Sequence, residues 1–479
     1  MTMSKSQIGV YGLGVMGRNL ALNLEEKGNR VSVFNRIAPG EEHITDKFVA
    51  GDGAEKNFFG AETVQSFVDS LETPRKILIM VKAGKPVDFV IDELLPFLNK
   101  GDIIIDGGNS NFHDTNRRVE TLALNGILFV GMGVSGGEEG ARFGPSLMPG
   151  GNQQAWPSLQ PVLEPISAKA FDESPCCAWI GRNGAGHFVK MVHNGIEYAD
   201  MQLIAEVYHF MKNGLEMSAT EIAGQFSAWS QTELSSYLIE ITAEIFTVHD
   251  DDGRPLVEKI LDSAGQKGTG KWTGITALEL GVPLPGITQA VFARFASSYT
   301  GLRKQVSGKL NGPSSTISGS QKEIISALAN ALLASRMASY AEGFHLIKTA
   351  GDEFGWEINA ASVARIWQGG CIIRSELLKV ITASYRENSN LEHLFLSEEF
   401  SSKLQSLQNG WRKIIGLAVQ HGIPMPNMMA ALGLYDSLRF EHLPANLIQA
   451  QRDYFGAHTY ERIDKPRGEF FHTDWKKKL

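Results

Sequence analysis

Short apolar runs punctuate the first third of the chain at intervals that suit helical crossovers. Ile8–Tyr11, Val31–Phe34, Lys76–Val81, Asp102–Asp106, Ile127–Val130 and Ala178–Ile180 are each too short for a helix and too apolar for a half-exposed strand. They predict strands covered on both faces, and so a parallel sheet with helices packed over it. From residue 187 to about residue 440 the period lengthens to that of amphipathic helices. The pattern divides the chain into an α/β domain over residues 1–183, a large all-α domain over 184–441 and a tail over 442–479.

The first strand runs straight into Gly12-Leu13-Gly14-Val15-Met16-Gly17; a helix is expected over Arg18–Lys27, with Gly28 closing it before the second strand. GxGxxG between a strand and a helix is the turn of a Rossmann-type, dinucleotide-binding fold. Gly12 allows the tight turn, Gly14 admits the pyrophosphate and Gly17 lets helix and strand close on each other. The second strand ends in Asn35-Arg36, without the carboxylate that binds a free ribose 2′-hydroxyl. A guanidinium pairs with a 2′-phosphate, so NADP is expected over NAD. Later strand ends carry Val81-Lys82-Ala83-Gly84, Gly107-Gly108-Asn109-Ser110 and Ser135-Gly136-Gly137. In a parallel sheet all of them face one crevice, and the last suits an oxyanion such as a carboxylate.

One helix-length stretch carries the chemistry. In His187–Tyr198, helical spacing puts Lys190, His193, Asn194, Glu197 and Tyr198 on one face, between apolar flanks. An amine, an imidazole, an amide, a carboxylate and a phenol then line what looks like a pocket wall. An internal repeat singles out the same stretch. Ala205–Lys212 and Ala341–Lys348 share A-E-x-aromatic-His-x-x-Lys, Trp229 answers Trp367, and Ile241-Thr242 answers Ile381-Thr382. The helical domain is thus read as a duplicated unit, with halves over about 187–315 and 322–441. At the same offset Lys190 corresponds to Ser326 and Glu197 to Leu333, while Asn194 keeps its type at Asn330, so only one copy retains the proton-transfer groups.

Two further stretches are candidates for anions. The loop Gly265–Thr273 carries Lys267 between glycines, but lacks GxxxxGK[ST] and a preceding strand, which excludes an NTPase. Arg294 sits among apolar neighbours. The tail bears Arg452 and His458 within a run too aromatic for a free end, and is expected to dock on a second subunit. A formal net charge of −8 argues against general nucleic-acid binding. Three cysteines, two of them adjacent, build neither a disulfide framework nor a metal site, so no metal is expected. Without a signal-peptide pattern or an apolar run of membrane length, the expected location is cytoplasmic.

Together these residues resemble the decarboxylating 6-phosphogluconate dehydrogenases of the β-hydroxyacid dehydrogenase superfamily. The resemblance runs from Ile8 to the tail. It rests on GLGVMG at 12–17, VKAG at 81–84, DGGNS at 106–110, GVSGGEEGAR at 133–142, KMVHNGIEY at 190–198, KGTGKWT at 267–273, IWQGGCIIRS at 366–375 and the pair Arg452/His458. It implies oxidative decarboxylation of 6-phosphogluconate to ribulose 5-phosphate with NADP, a step of the pentose phosphate pathway, in a homodimer. Lys190 would be the general base and then acid, Glu197 the acid that protonates the enediol, and Asn194 the group that orients the reacting oxygens. Ser135, Gly136, Gly137 and His193 would hold the carboxylate end of the substrate. Tyr198, Lys267 and Arg294, with Arg452 and His458 from the partner subunit, would hold the phosphate. Cofactor contacts would come from Gly12, Leu13, Gly14, Val15, Met16 and Gly17, from Asn35, Arg36 and Ile37, and from Val81, Lys82, Ala83 and Asn109, with Asn109 also facing the substrate. Ile37 departs from the family, which often has a hydroxyl-bearing residue there, and implies a weaker preference for NADP.

Two other readings make different demands. A non-decarboxylating NADP-dependent β-hydroxyacid dehydrogenase would share Lys190 but need neither Glu197 nor the phosphate set. A non-enzymatic NADP-binding scaffold would have no use for Lys190, Asn194 and Glu197.

Overall fold

A computed structural model describes residues 4–36 and 39–476; Ile37 lies outside the described residues. The first part is an eight-stranded sheet of β1 (Ile8–Tyr11), β2 (Val31–Phe34), β3 (Phe58–Gly60), β4 (Lys76–Ile79), β5 (Ile103–Asp106), β6 (Leu128–Ser135), β7 (Ser146–Gly151) and β8 (Gly181–Arg182). The strand order is β3-β2-β1-β4-β5-β6-β7-β8, and every pairing is parallel except β6 with β7. β1, β2 and β5 are buried along their whole length. Alternate residues feed two cores: Ile8 and Val10 pack with Leu20 and Leu24, while Tyr11 packs with Ile77, Ile79 and Val87 on the opposite face.

The structure differs from the sequence reading in several details, and it adds two strands that the reading lacked, β3 and the antiparallel β7. The first helix is Val15–Glu26, so it begins inside the glycine motif. Ala178–Ile180 is not a strand, and β8 follows it. β6 is longer than its apolar run and continues through Gly131 and Gly133 to Ser135. Those glycines belong to the strand because the helix Ala185–His209 lies directly on them: a Cβ at Gly131 would come within 2.7 Å of His187, and one at Gly133 would collide with Lys190.

The remainder of the first compact unit, which runs from residue 1 to residue 431, is helical. Ala185–His209 packs along Gln321–Phe354, the helix at the corresponding place in the sequence repeat. Gly343 lets Ile196 approach closely. Asp200 and Arg336 stand 136 positions apart, the offset of the repeat, and face one another between these two helices. Both are 1% exposed, with Arg336 Nε 2.8 Å from Asp200 Oδ1. Removing one member of a buried pair strands the other charge, so Arg336→Met is expected to destabilise the fold by about 3–5 kcal/mol. A denaturant midpoint shift equivalent to less than about 1 kcal/mol would contradict that.

The two halves also exchange helix caps. Glu206, in the first half, accepts the backbone N–H groups of Asn427 (2.8 Å) and Met428 (3.0 Å), at the start of the helix Pro426–Arg439 in the second. Glu342, 136 positions after Glu206, accepts those of Gly286 (2.9 Å) and Ile287 (3.0 Å), at the start of Pro285–Ser298 in the first. Each carboxylate meets otherwise unpaired N–H groups and the positive end of a helix dipole.

The second compact unit covers residues 432–479. Its helix Ala445–Gly456 presents Asp453, 1% exposed, to the chain that folds back on it. That carboxylate accepts from the backbone of Thr459 and Thr473 and from the Trp475 indole at 2.7 Å, and it pairs with His472 at 2.9 Å.

Candidate active site

The polar stripe forms as the spacing predicts. Lys190, His193, Asn194 and Tyr198 are buried on one face of Ala185–His209, and Glu197 is partly exposed. His193 is the hub. Its Nδ1 lies 3.3 Å from Lys190 Nζ and 3.1 Å from Asn194 Oδ1, and its Nε2 lies 3.1 Å from Ser135 Oγ at the end of β6. The Glu197 carboxylate is 3.8 Å from the same ring. The loop Ser135-Gly136-Gly137 therefore meets the stripe. Gly136 adopts a left-handed φ of 111°, and a Cβ there would run into the Gly370 carbonyl at 2.6 Å.

Burial sets the protonation of these groups. It pushes the Lys190 amine below its ordinary range, opposed by the charge of Glu197. Burial and the nearby Lys190 push His193 well below its usual value, so the imidazole is neutral. The Glu197 carboxyl is pushed up by burial, opposed by Lys190, Arg294 and Lys267.

The candidate phosphate end assembles next to Glu197. The Arg294 guanidinium stacks 3.5 Å above the Tyr198 ring and donates to the Gly265 carbonyl at 3.1 Å. Gly270 admits the same tyrosine ring against the helix Thr269–Glu279. Lys267 is exposed on the adjoining loop, close enough to act on Glu197. Arg452 and His458 occupy exposed positions in the second compact unit, Arg452 on the helix Ala445–Gly456.

The glycine loop fits a dinucleotide. Gly12 has a φ of 102° and backs onto the Met80 carbonyl, and Gly17 leaves no room for a side chain against Gly12. A Cβ at Gly14 would meet no protein atom, so the loop is open at that point. The first helix starts at Val15 with no side-chain cap and no acidic residue in its first turn, which leaves its N–H groups for a pyrophosphate. Asn35 Oδ1 accepts from the Leu13 N–H at 2.9 Å and ties the second strand to this loop. Arg36 is exposed beside it, with Nε 3.4 Å from Glu41. Val15, Met16, Val81, Lys82, Ala83 and Asn109 all retain exposure along this edge.

Four contributors escaped the sequence reading. Thr269 Oγ1 accepts from Asn194 Nδ2 at 3.1 Å. Trp367 stands edge-on to His193, with ring centroids 5.5 Å apart. Cys371, buried, is close enough to act electrostatically on Lys190. Gly133 gives Lys190 its room. Thr269, Trp367 and Cys371 lie in the stretches 267–273 and 366–375, which carried the family resemblance with no role attached to these three residues.

Residues 7–181 match the family model described as the NAD binding domain of 6-phosphogluconate dehydrogenase, and residues 186–475 match that of its C-terminal domain. A decarboxylating 6-phosphogluconate dehydrogenase of Haemophilus ducreyi is 55% identical, over 98% of this chain and 96% of its own. The Homo sapiens enzyme of that name is 52% identical, over 99% and 97%. Among solved structures, the 6-phosphogluconate dehydrogenase of Plasmodium falciparum, studied with its cofactor NADP+ and with its substrate 6-phosphogluconate, superposes with a TM-score of 0.93 at 41% identity, covering 98% of this chain and 100% of that one. Two domain matches in tandem, a common fold and identities above one half lead to one conclusion: the chain belongs to the 6-phosphogluconate dehydrogenase family.

Proposed function

We propose that the chain oxidises 6-phosphogluconate with NADP and decarboxylates the product to ribulose 5-phosphate, Lys190 acting as base and then acid. The observation that carries this reading is a buried amine held below its ordinary range, 3.3 Å from a neutral imidazole, on the same helix face as a carboxyl held above its own. NADP, along the glycine loop and Arg36, supplies the acceptor for the hydride that leaves C3. Neutral Lys190 takes the C3 hydroxyl proton, producing a β-keto acid. Protonated Lys190 then donates to the ketone oxygen and stabilises the enolate charge that develops as CO2 departs. Glu197 delivers a proton to C1 of the enediol, and Asn194, braced by Thr269, orients the oxygens.

Ser135, Gly136, Gly137 and His193 hold the carboxylate end, Tyr198, Lys267 and Arg294 the phosphate, and Asn109 lies between substrate and cofactor. Arg452 and His458 complete the phosphate site of a second copy in a homodimer. Exposed apolar residues support the dimer: Ile275, Leu278, Phe292, Tyr299 and Leu302 on the helical domain, and Leu447, Ile448 and Phe455 on the tail. We take residues 1–183 as the cofactor domain, 184–441 as the substrate and dimerisation domain, and 442–479 as the exchanged tail. No helix among the described residues is long and apolar enough to cross a membrane, and three buried, unpaired cysteines suit a reducing, cytoplasmic setting.

Parallel assays with NADP and NAD, with CO2 trapped, test the whole reading. Equal yields of NADPH and CO2 are expected, with a preference for NADP that Arg36→Ala abolishes. NADPH without CO2 would favour the non-decarboxylating alternative.

A further inference from the structure

Arg118 is 2% exposed, and its three acceptors lie beyond the ends of two strands: in the helix Lys85–Leu94, in the loop before that helix and at the last residue of β5. Its Nε donates to Asp88 Oδ1 at 2.8 Å and its Nη2 to the Gly84 carbonyl at 3.0 Å, at the end of the loop after β4. Its Nη1 faces Asp106 Oδ2 at 3.4 Å, at the end of β5. Asp106, fully buried, accepts from the Gly108 N–H at 3.0 Å and the Ser110 hydroxyl at 2.6 Å, on either side of Asn109. One guanidinium thus spans both strand-end loops, which a single ammonium point charge cannot do.

The network continues into the helix Ala185–His209. The Asp106 carbonyl lies 3.1 Å from His187 Nε2, and His187 Nδ1 lies 2.7 Å from Thr115 Oγ1. A carbonyl can only accept, so Nε2 carries the proton and Nδ1 accepts from Thr115. His187 is buried one turn before Lys190, on the helix that crosses β6 at Gly131 and Gly133.

We propose that Arg118 is a positioning residue: with Asp106 and His187 it fixes the cofactor loops at 81–84 and 106–110 relative to Lys190. The proposal rests on the roles given above to those loops and to Lys190. Hydride transfer is sensitive to such spacing, since a misplacement of about 1 Å can cost on the order of 10²-fold in rate.

The test uses the full chain, with NADPH affinity read by fluorescence and hydride transfer by the isotope effect of C3-deuterated 6-phosphogluconate. Arg118→Met is expected to weaken NADPH binding about tenfold and to raise the isotope effect, with Arg118→Lys in between. His187→Leu is expected to raise the isotope effect and leave NADPH affinity unchanged. A folded Arg118→Met with wild-type affinity and isotope effect overturns the proposal; should that variant not fold, the same result for Arg118→Lys does so. Ala83→Trp separates the underlying assignment: unchanged NADPH affinity there removes the loops from the cofactor site, whatever Arg118 does.

Discussion

Lys190→Met is expected to lower turnover by about 10⁴-fold, the upper range for loss of a general base that also serves as acid. Methionine nearly matches the lysine stem in length, so the packing against Gly133 survives and substrate affinity should change little. Steady-state kinetics with a binding titration checks this, and near-normal turnover would remove Lys190 from the mechanism. The pH profile follows from the same burial. The base must be neutral, so activity is lost as pH falls below the depressed value of Lys190. The acid must be protonated, so activity is lost as pH rises past the elevated value of Glu197. Glu197→Gln should therefore remove the alkaline limb and spare the acidic one.

Mixing two inactive variants should restore activity. Lys190→Met disables the chain's own site, whereas Arg452→Ala, if the tail is exchanged, disables the partner's. A hybrid dimer then contains one site with both changes and one with neither. Random reassembly makes half the dimers hybrid, so about one quarter of wild-type activity is expected. A tail serving its own chain gives none on mixing, and that outcome would refute the shared site. The fold-back of the tail is held by Asp453, which gathers donors from Thr459, Thr473 and Trp475 around one buried carboxylate.

What the sequence made legible was local. The turn glycines could be read because each answers a constraint within a few residues or one strand away, and the geometry at Gly12 and Gly17 agrees. The polar stripe could be read because helical spacing alone decides which side chains share a face. The opposing wall could not: Trp367 and Thr269 reach His193 and Asn194 from 174 and 75 positions downstream. The length of β6 was hidden for a related reason. Gly131 and Gly133 look like a loop until the helix that needs their missing side chains lies across them. Arg118 was equally silent, since a helical arginine reads as surface until three acceptors converge on it from elsewhere.

The exchanged caps of Glu206 and Glu342 make the helical domain one cooperative unit. A single copy of the repeat would keep its glutamate but not the helix end that the glutamate serves, and its own helix would start bare. Each half thus completes the other, and neither is expected to fold alone. Proteolysis in the exposed stretch 308–316 should accordingly leave the two fragments locked together, melting in one transition.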